Sequence, residues 1–475
     1  MSEVYGTQPL KVHIAVENFG PIEKAEIDLR PLTVFVGESN TGKTYLATLI
    51  YALFNTFEGF ARVPLPHSII TLLKQSRFRS QKEQDEEFLE TLNKLNTPGR
   101  TFKYSDFPKW LCTHIHHYLN ESEIFANELK RCFDLDSLFN IIRFTNDNTN
   151  ELTISLKVSE ENQSLWCFEM QNSGSNIYVG GSINTDIVLK SGQKEMFKKT
   201  MDLDDLGLLL RCSKYSESNL YFLPAAKGGI LETHGIIFGS LVDRATRVGL
   251  GHSSETSALT GMTADFLKHL INYKEYEKSS SDLIESANLL EKGLLRGKID
   301  VKRPDDVGYP QFRYSPLKSE KSLRMSQVSS MVLELTPLVL FLRGVVKPGD
   351  TLIIEEPEAH LHPRAQTKIA ITLAKLVRAG VRVIITTHSD WLLEQIGNLV
   401  REGEVMKSKK NNTEQPPTWL TTEEVGAWWF HADKPVEEIK FDRIEGYNPP
   451  DYYDVASGLY NNAVEFQQQL QEEEN

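Results

Sequence analysis

Gly37-Glu38-Ser39-Asn40-Thr41-Gly42-Lys43-Thr44 lies between two apolar runs, Leu32-Thr33-Val34-Phe35-Val36 before it and Tyr45-Leu46-Ala47-Thr48-Leu49-Ile50-Tyr51-Ala52-Leu53 after it. The octet fits G-x-x-x-x-G-K-[ST], the P-loop that turns backbone N–H groups inward onto phosphate oxygens. The first run reads as a buried strand and the second as an apolar helix. Strand, glycine loop, helix is the order that motif needs. The start of the helix adds positive dipole where phosphates would lie. Lys43 is expected to reach the β- and γ-phosphates of a nucleotide, and the Thr44 hydroxyl to ligate Mg²⁺. Gly37, Glu38, Ser39, Asn40, Thr41, Gly42, Lys43 and Thr44 are thus the expected phosphate-binding set.

The composition sets the class around this motif. A chain of 475 residues exceeds one typical core and implies two or three folding units. Hydrophobic residues make up 40% and charged residues 25%, as in an ordinary globular protein. No apolar run reaches the roughly 18 residues of a membrane span. The richest stretch, Leu335 to Val346, is interrupted by Arg343 and reads as a core helix. The N-terminus lacks a basic-then-apolar signal pattern. Cys112, Cys132, Cys167 and Cys212 are scattered without a C-x-x-C. They are expected as free thiols in a reducing cytoplasm, with no membrane association. The net charge of −13 argues against a broadly basic nucleic-acid binder. Local basic stretches at 74–82 and 407–410 read as solvated faces or, less simply, as DNA contacts.

A second piece of the same chemistry lies 313 positions after Lys43. Thr351-Leu352-Ile353-Ile354-Glu355-Glu356 is an apolar strand ending in two acids, the form of a Walker B strand. The first acid would hold Mg²⁺ and the second would polarise an attacking water, at the carboxyl end of a strand beside the P-loop strand. Val381 to Thr386 reads as another strand buried on both faces, so a parallel sheet is expected. Leu152–Val158, Leu165–Met170 and Asn176–Ile183 alternate and read as an antiparallel meander. Gly297–Lys302 and Tyr309–Tyr314 read as a hairpin, 193–212 as a helix, and the Gln- and Glu-rich tail as a solvated helix.

Ile353 to Pro363, IIEEPEAHLHP, resembles the Walker B and D-loop of the RecF/SMC-like branch of ABC ATPases, and more narrowly of the AAA15/OLD-like ATPases. Five other stretches agree. Val16 to Ile22 resembles that family's opening strand and turn. Tyr221 to Gly229 resembles its strand-to-helix motif, which usually carries arginine where Lys227 stands. Gln327 to Leu338 is similar to its signature helix, Thr386-Thr387-His388-Ser389 to its switch-histidine segment, and Gly446 to Leu459 to the end of its ATPase module.

The resemblance implies an α/β, ABC-type P-loop ATPase head with a mixed, largely parallel sheet core, an antiparallel β subdomain and an inserted helical subdomain. Five segments are expected: 1–54 with the P-loop, 55–146 as helical insertion, 147–228 as meander and return to the core, 229–328 as helical and hairpin subdomain, and 329–475 as the remainder. It implies ATP and Mg²⁺ as ligands, Glu356 as catalytic base, His388 as sensor of the γ-phosphate and Glu355 as metal carboxylate. Glu stands at that last position where Asp is commoner. Ser329 and Ser330 would donate to the γ-phosphate of ATP held by a second copy. The chain would therefore form a homodimer, or a higher even-numbered homo-oligomer, through its ATP sites.

The histidine clusters have plainer readings. His360 and His362 read as D-loop residues facing the partner copy. His114, His116 and His117 read as an exposed helix face, with no cysteine or carboxylate at zinc-site spacing. No Asp-x-Asp of a TOPRIM nuclease follows the switch histidine. The expected output is thus a nucleotide-gated change in dimerisation or partner binding. The leading reading is an ATP-hydrolysing sensor or regulator of bacterial antiphage defence. It would control a separately encoded nuclease or toxin in response to a phage protein or DNA. A RecF-like DNA-repair clamp and a non-hydrolysing ATP-dependent scaffold are the alternatives.

Overall fold

The computed structural model describes residues 10–57, 59–60, 63–64, 101–107, 109–143, 151–160, 163–173, 176–190, 219–246, 259–274, 280–304, 309–409, 418–432 and 434–473. The basic stretch 74–82, the expected helix 193–212, Cys212 and Lys410 of the basic stretch 407–410 lie outside these residues.

The chain opens with β1 (Lys11–Phe19), β2 (Ile22–Asp28), β3 (Leu32–Gly37) and the P-loop helix α1 (Lys43–Phe57). A short strand β4 (Thr101–Lys103), α2 (Lys109–Leu119) and α3 (Ser122–Phe133) follow. Next come the meander β5 (Thr153–Glu160), β6 (Gln163–Ser173) and β7 (Asn176–Ile183), then β8 (Val188–Lys190) and β9 (Leu220–Leu223). Three helices, α4 (Lys227–Thr246), α5 (Gly261–Ile271) and α6 (Ser281–Leu290), lead to β10 (Gly297–Lys302), β11 (Gln311–Pro316) and β12 (Leu323–Arg324). The remainder runs α7 (Ser330–Gly344), β13 (Thr351–Glu355), α8 (Pro363–Arg378), β14 (Arg382–Thr387), α9 (Asp390–Lys409), β15 (Val425–Phe430), β16 (Glu437–Glu438) and α10 (Pro450–Glu473). The fold class is α/β, with parallel and antiparallel sheets as expected.

The central sheet has the order β16-β15-β3-β14-β13-β9 and is parallel except for the edge strand β16. Its inner strands are apolar on both faces because both faces are covered. Phe35, Ile353 and Ile384 point into one core, while Val34, Val36, Leu352, Ile354, Val383 and Ile385 point into the other. The second core is roofed by α7, α8 and α9. Two features differ from the sequence reading. The Walker B strand β13 is not beside the P-loop strand; β14 lies between them and bonds to both. The residues Val425-Gly426-Ala427-Trp428-Trp429-Phe430, in which no strand is anticipated, form β15 and pair in parallel with β3.

The antiparallel sheet has the order β2-β1-β5-β6-β7, so the meander joins the first two strands of the chain. Period-2 patterning sets the register. Val12, Ile14 and Val16 stand opposite Val158, Leu156 and Ile154, which in turn face Trp166, Phe168 and Met170. This apolar face packs on α1, where Phe57 meets Trp166 and Phe168 with ring centroids 5.2 and 5.0 Å apart. The opposite side of α1 rests on the central sheet, with Tyr51 against Phe222. A helix apolar around most of its circumference is buried around most of it, and α1 is one beyond its first turn.

Elsewhere, β10 and β11 form the expected hairpin, with β12 added. His114, His116 and His117 are exposed on α2. The tail is helical in α10, with Leu459, Tyr460, Phe466 and Leu470 exposed. Cys112, Cys132 and Cys167 are free thiols. Among the described residues no helix is long and apolar enough to cross a membrane.

The β3–β15 pairing rests on aromatic packing, since Phe35 lies 5.2 Å from Phe430 and 6.3 Å from Trp428, centroid to centroid, and is fully buried. Phe35→Ala is expected to cost about 3–5 kcal/mol of stability, read as a lowered denaturant midpoint.

Candidate functional site

Parallel pairing sends the carboxyl ends of β3, β14 and β13 to one edge of the sheet, and the chemistry-bearing residues leave from there. Gly37 stands level with Phe430, Thr387 with Val36, and Glu355 with Thr386. The P-loop leaves β3 through Gly37 at φ +141° and enters α1 through Gly42 at φ +103°. Both are positions where a side chain is strained. A Cβ at Gly37 would also run into the Phe430 carbonyl, and one at Gly42 into Ile22. Asn40 between them is left-handed too, at φ +65°. Glu38, Ser39 and Asn40 are exposed on the loop and Thr44 on the first turn of α1, whereas Thr41 is buried and donates to the Glu38 carbonyl at 2.8 Å.

Lys43 is folded back across the loop. Its Nζ donates to the Gly37 carbonyl at 2.9 Å and to the Glu38 carbonyl. Burial pushes this ammonium down to about 8, against the attraction of Glu356, Glu358 and Glu38. A charged group is thus held in a dry loop that offers it only carbonyl dipoles.

Glu355 and Glu356 separate in direction at the end of β13. Glu355 is buried at 6% exposure, and its Oε2 accepts from the Ala225 N–H at 3.0 Å. Burial raises its carboxyl, and the Thr44 hydroxyl nearby favours the charged form. Its Oε1 is buried without a hydrogen-bond partner. Glu356 bends away in a left-handed backbone, φ +42°, with its N–H on the Thr386 carbonyl at 3.0 Å. Its side chain is half-exposed, and Oε1 lies 3.7 Å from His388 Nε2. His388, just past β14, lies against the Gly37 backbone. Burial, then Lys43, push its imidazole down, so the ring is held neutral. Lys43, Glu355, Glu356 and His388 therefore converge although the chain separates them widely.

Two further residues complete the edge, and the sequence reading gave neither a role here. Glu358 Oε1 accepts from the Thr387 hydroxyl at 2.6 Å and from the His388 N–H at 2.8 Å, which fixes the backbone that carries His388. Its Oε2 is buried without a partner. Lys227, at the start of α4, is buried and donates to the carbonyls of Glu355 at 3.0 Å and Glu356 at 3.3 Å. The available signals were an acid two positions past the acid pair and a lysine after an apolar strand. Neither is specific without the fold.

Ser329 and Ser330 stand apart from this convergence. Both are exposed at the N-terminus of α7, where Ser329 is the N-cap. The Ser329 hydroxyl makes no capping bond to its own helix.

A divalent ion fits the donor set. The orphaned Glu355 Oε1 and the Thr44 hydroxyl are hard oxygen donors of the kind Mg²⁺ takes. No group of three or more His, Cys, Asp or Glu that could cage a metal exists among the described residues. Such an ion would therefore need phosphate oxygens and water to complete its shell.

Comparison with known proteins divides along the same lines. A model described as "AAA ATPase domain" matches residues 12–205, and one described as "AAA domain, putative AbiEii toxin, Type IV TA system" matches residues 251–394. Among curated proteins, the chain is 27% identical over 117 residues to the Nod factor export ATP-binding protein I of Paraburkholderia xenovorans (strain LB400). That match spans 25% of this chain and 36% of the relative, so the chain covers about a third of that protein's length. Solved structures give a loose likeness at 10% identity. An SmcHead bound to the C-winged helix domain of ScpA has a TM-score of 0.41, with 92% of this chain and 99% of that one covered. The SMC head domain from Thermotoga maritima has a TM-score of 0.36, with 91% and 100% covered. The first family model encloses the P-loop and Lys43, and the second encloses Glu355, Glu356 and His388. Both halves of the converging site thus fall in segments similar to AAA-type ATPase domains, each matched by a different family model.

Proposed function

We propose that this protein binds and hydrolyses ATP between two copies of itself, and that it acts as a sensor or regulator in bacterial antiphage defence, controlling a separately encoded nuclease or toxin. The observation that carries the reading is the convergence of Lys43, Thr44, Glu355, Glu356 and His388 on one sheet edge. Lys43 exchanges its carbonyl partners for β- and γ-phosphate oxygens. The loop N–H groups from Gly37 to Thr44 and the start of α1 cradle the same phosphates. Thr44 and Glu355 hold Mg²⁺, which supplies charge neutralisation to the phosphates when bound. Glu356 is directed away from the metal carboxylate by its left-handed backbone and accepts a proton from the attacking water. His388 is neutral and near Glu356, so it donates to or accepts from the γ-phosphate region without adding a fixed charge.

A further donor to the γ-phosphate comes from a second copy. Ser329 and Ser330, exposed with the Ser329 hydroxyl unspent, supply it from a second copy across a two-fold axis. The regulatory role is supported by the toxin–antitoxin wording of the second family model. The free thiols at Cys112, Cys132 and Cys167 support a reducing, cytoplasmic setting.

The role is tested by purifying the tagged chain from cells expressing its native neighbouring genes. A nuclease or toxin should accompany it; a chain recovered alone, with no such neighbour, removes the regulatory role and leaves the ATPase. Three variants test the site by calorimetry and light scattering. Lys43→Ala should weaken ATP binding about 100-fold or more. Ser330→Arg should spare ATP binding and abolish the ATP-driven dimer. Glu356→Gln should bind ATP, lose turnover by about 100-fold or more, and accumulate as the dimer. A third expectation concerns pH. Lys43 is protonated below its value of about 8 and neutral above it in the free protein. ATP affinity should therefore be level below pH 7.5 or so and weaken by up to about tenfold per unit above about 8, with a proton taken up on binding. Calorimetry in two buffers of different ionisation enthalpy reads that proton directly.

A further inference from the structure

Lys227 is more deeply buried than any other lysine of the site, at 2% exposure, yet the hydrolysis scheme above does not use it. Its ammonium has three partners on two elements. Two are hydrogen-bonded carbonyls, of Glu355 and Glu356 at the end of β13; the third is an ion pair, 3.5 Å long, with Glu334 Oε2 on α7, an oxygen without a hydrogen bond. Glu334 is itself buried at 8% exposure. Gly228, the next residue, lies against the same carboxylate, and a Cβ there would displace Glu334 Oε1. Glu334 lies four residues after Ser330, so the two sit one turn apart on one face of α7. α7 thus links its exposed start, one turn before Glu334, through the Glu334–Lys227 pair to the main chain that aims Glu356.

We propose that Lys227 is a positioning residue that couples α7 to the catalytic acid of its own subunit. Resting on the reading above, this makes engagement of Ser329 and Ser330 by the nucleotide of a second copy a signal that sets Glu356. The left-handed backbone of Glu356 is costly by itself and persists because its surroundings fix it. Lys227 holds the carbonyl on one side of that residue, and the Thr386 carbonyl holds its N–H on the other. A shift of α7 pulls on Glu334, and the ammonium carries it to both β13 carbonyls. Each copy then reports its nucleotide to the other, which appears as positive cooperativity in ATP turnover.

The test uses the full chain. Lys227→Met alone strands a buried carboxylate and can fail through folding, so the double variant Lys227→Met/Glu334→Leu removes both charges together. ATP affinity should stay within about threefold of wild type while kcat falls by about 10-fold to 100-fold, a loss of orientation rather than of binding. The Hill coefficient for ATP should fall toward 1 from a wild-type value above it. Lys227→Arg, which keeps the charge and gains donors, should recover most of kcat and the cooperativity. A double variant with wild-type kcat and Hill coefficient overturns the coupling. So does one in which affinity, rate and melting temperature fall together without rescue by arginine, because that is a purely structural lysine. If the wild-type protein itself shows neither ATP turnover nor an ATP-driven dimer, the underlying reading fails first and the coupling with it.

Discussion

The double burial of α1 is the constraint on which the rest of the site depends. One side of that helix lies on the antiparallel sheet through Phe57, Trp166 and Phe168, and the other on the central sheet through Tyr51 and Phe222. A close-packed helix between two sheets has no direction in which to slide. Lys43 is its first residue, so the ammonium inherits that fixity. The glycines on either side of the loop are squeezed against Phe430 and Ile22, so the approach to α1 is fixed as well. Positional accuracy at the mouth of the site comes from apolar packing a full helix length away.

Charge in this region is dominated by desolvation. Burial is the first cause of the lowered lysines, Lys43 and Lys227, and of the raised carboxyls, Glu355 and Glu358. Three carboxylate oxygens, Glu334 Oε2, Glu355 Oε1 and Glu358 Oε2, are buried without hydrogen-bond partners. Buried polar atoms are seldom left so, and a cluster of them at one sheet edge marks a place where the protein alone does not complete its own electrostatics. The neutral His388 and the dry Lys43 belong to the same condition.

Local patterns were the legible part of the sequence. The strand, loop and helix around Gly37 to Thr44 are contiguous, and so are the apolar strand and acids from Thr351 to Glu356; both are where periodicity places them. The helix after Ser329 and the hairpin at Gly297 are also read from neighbouring residues alone. What escaped was pairing across long distances. Nothing near β13 says that β14 will separate it from β3, because both strands are apolar runs with the same signature. The β15 run, Val-Gly-Ala-Trp-Trp-Phe, lacks alternation because both of its faces are buried, so it carries no period to detect. Lys227 and Glu358 are ordinary charged residues until folding strips their water.

The insertion of β14 also sets a ruler. Neighbouring strands in a sheet are about 4.8 Å apart, so the ends of β3 and β13 are held about 9.5 Å from each other by ladder geometry alone. That separation depends on strand count and not on the length of the connections. The chain places more than three hundred residues between Lys43 and Glu356, including three strands of the antiparallel sheet and several helices, and the ends of β3 and β13 are still two strand spacings apart. Loops in those connections that do not pack on α1 are therefore free to grow or shrink without changing this spacing. A protein built this way can acquire new surfaces by insertion while its reacting distances stay where hydrogen bonds have put them.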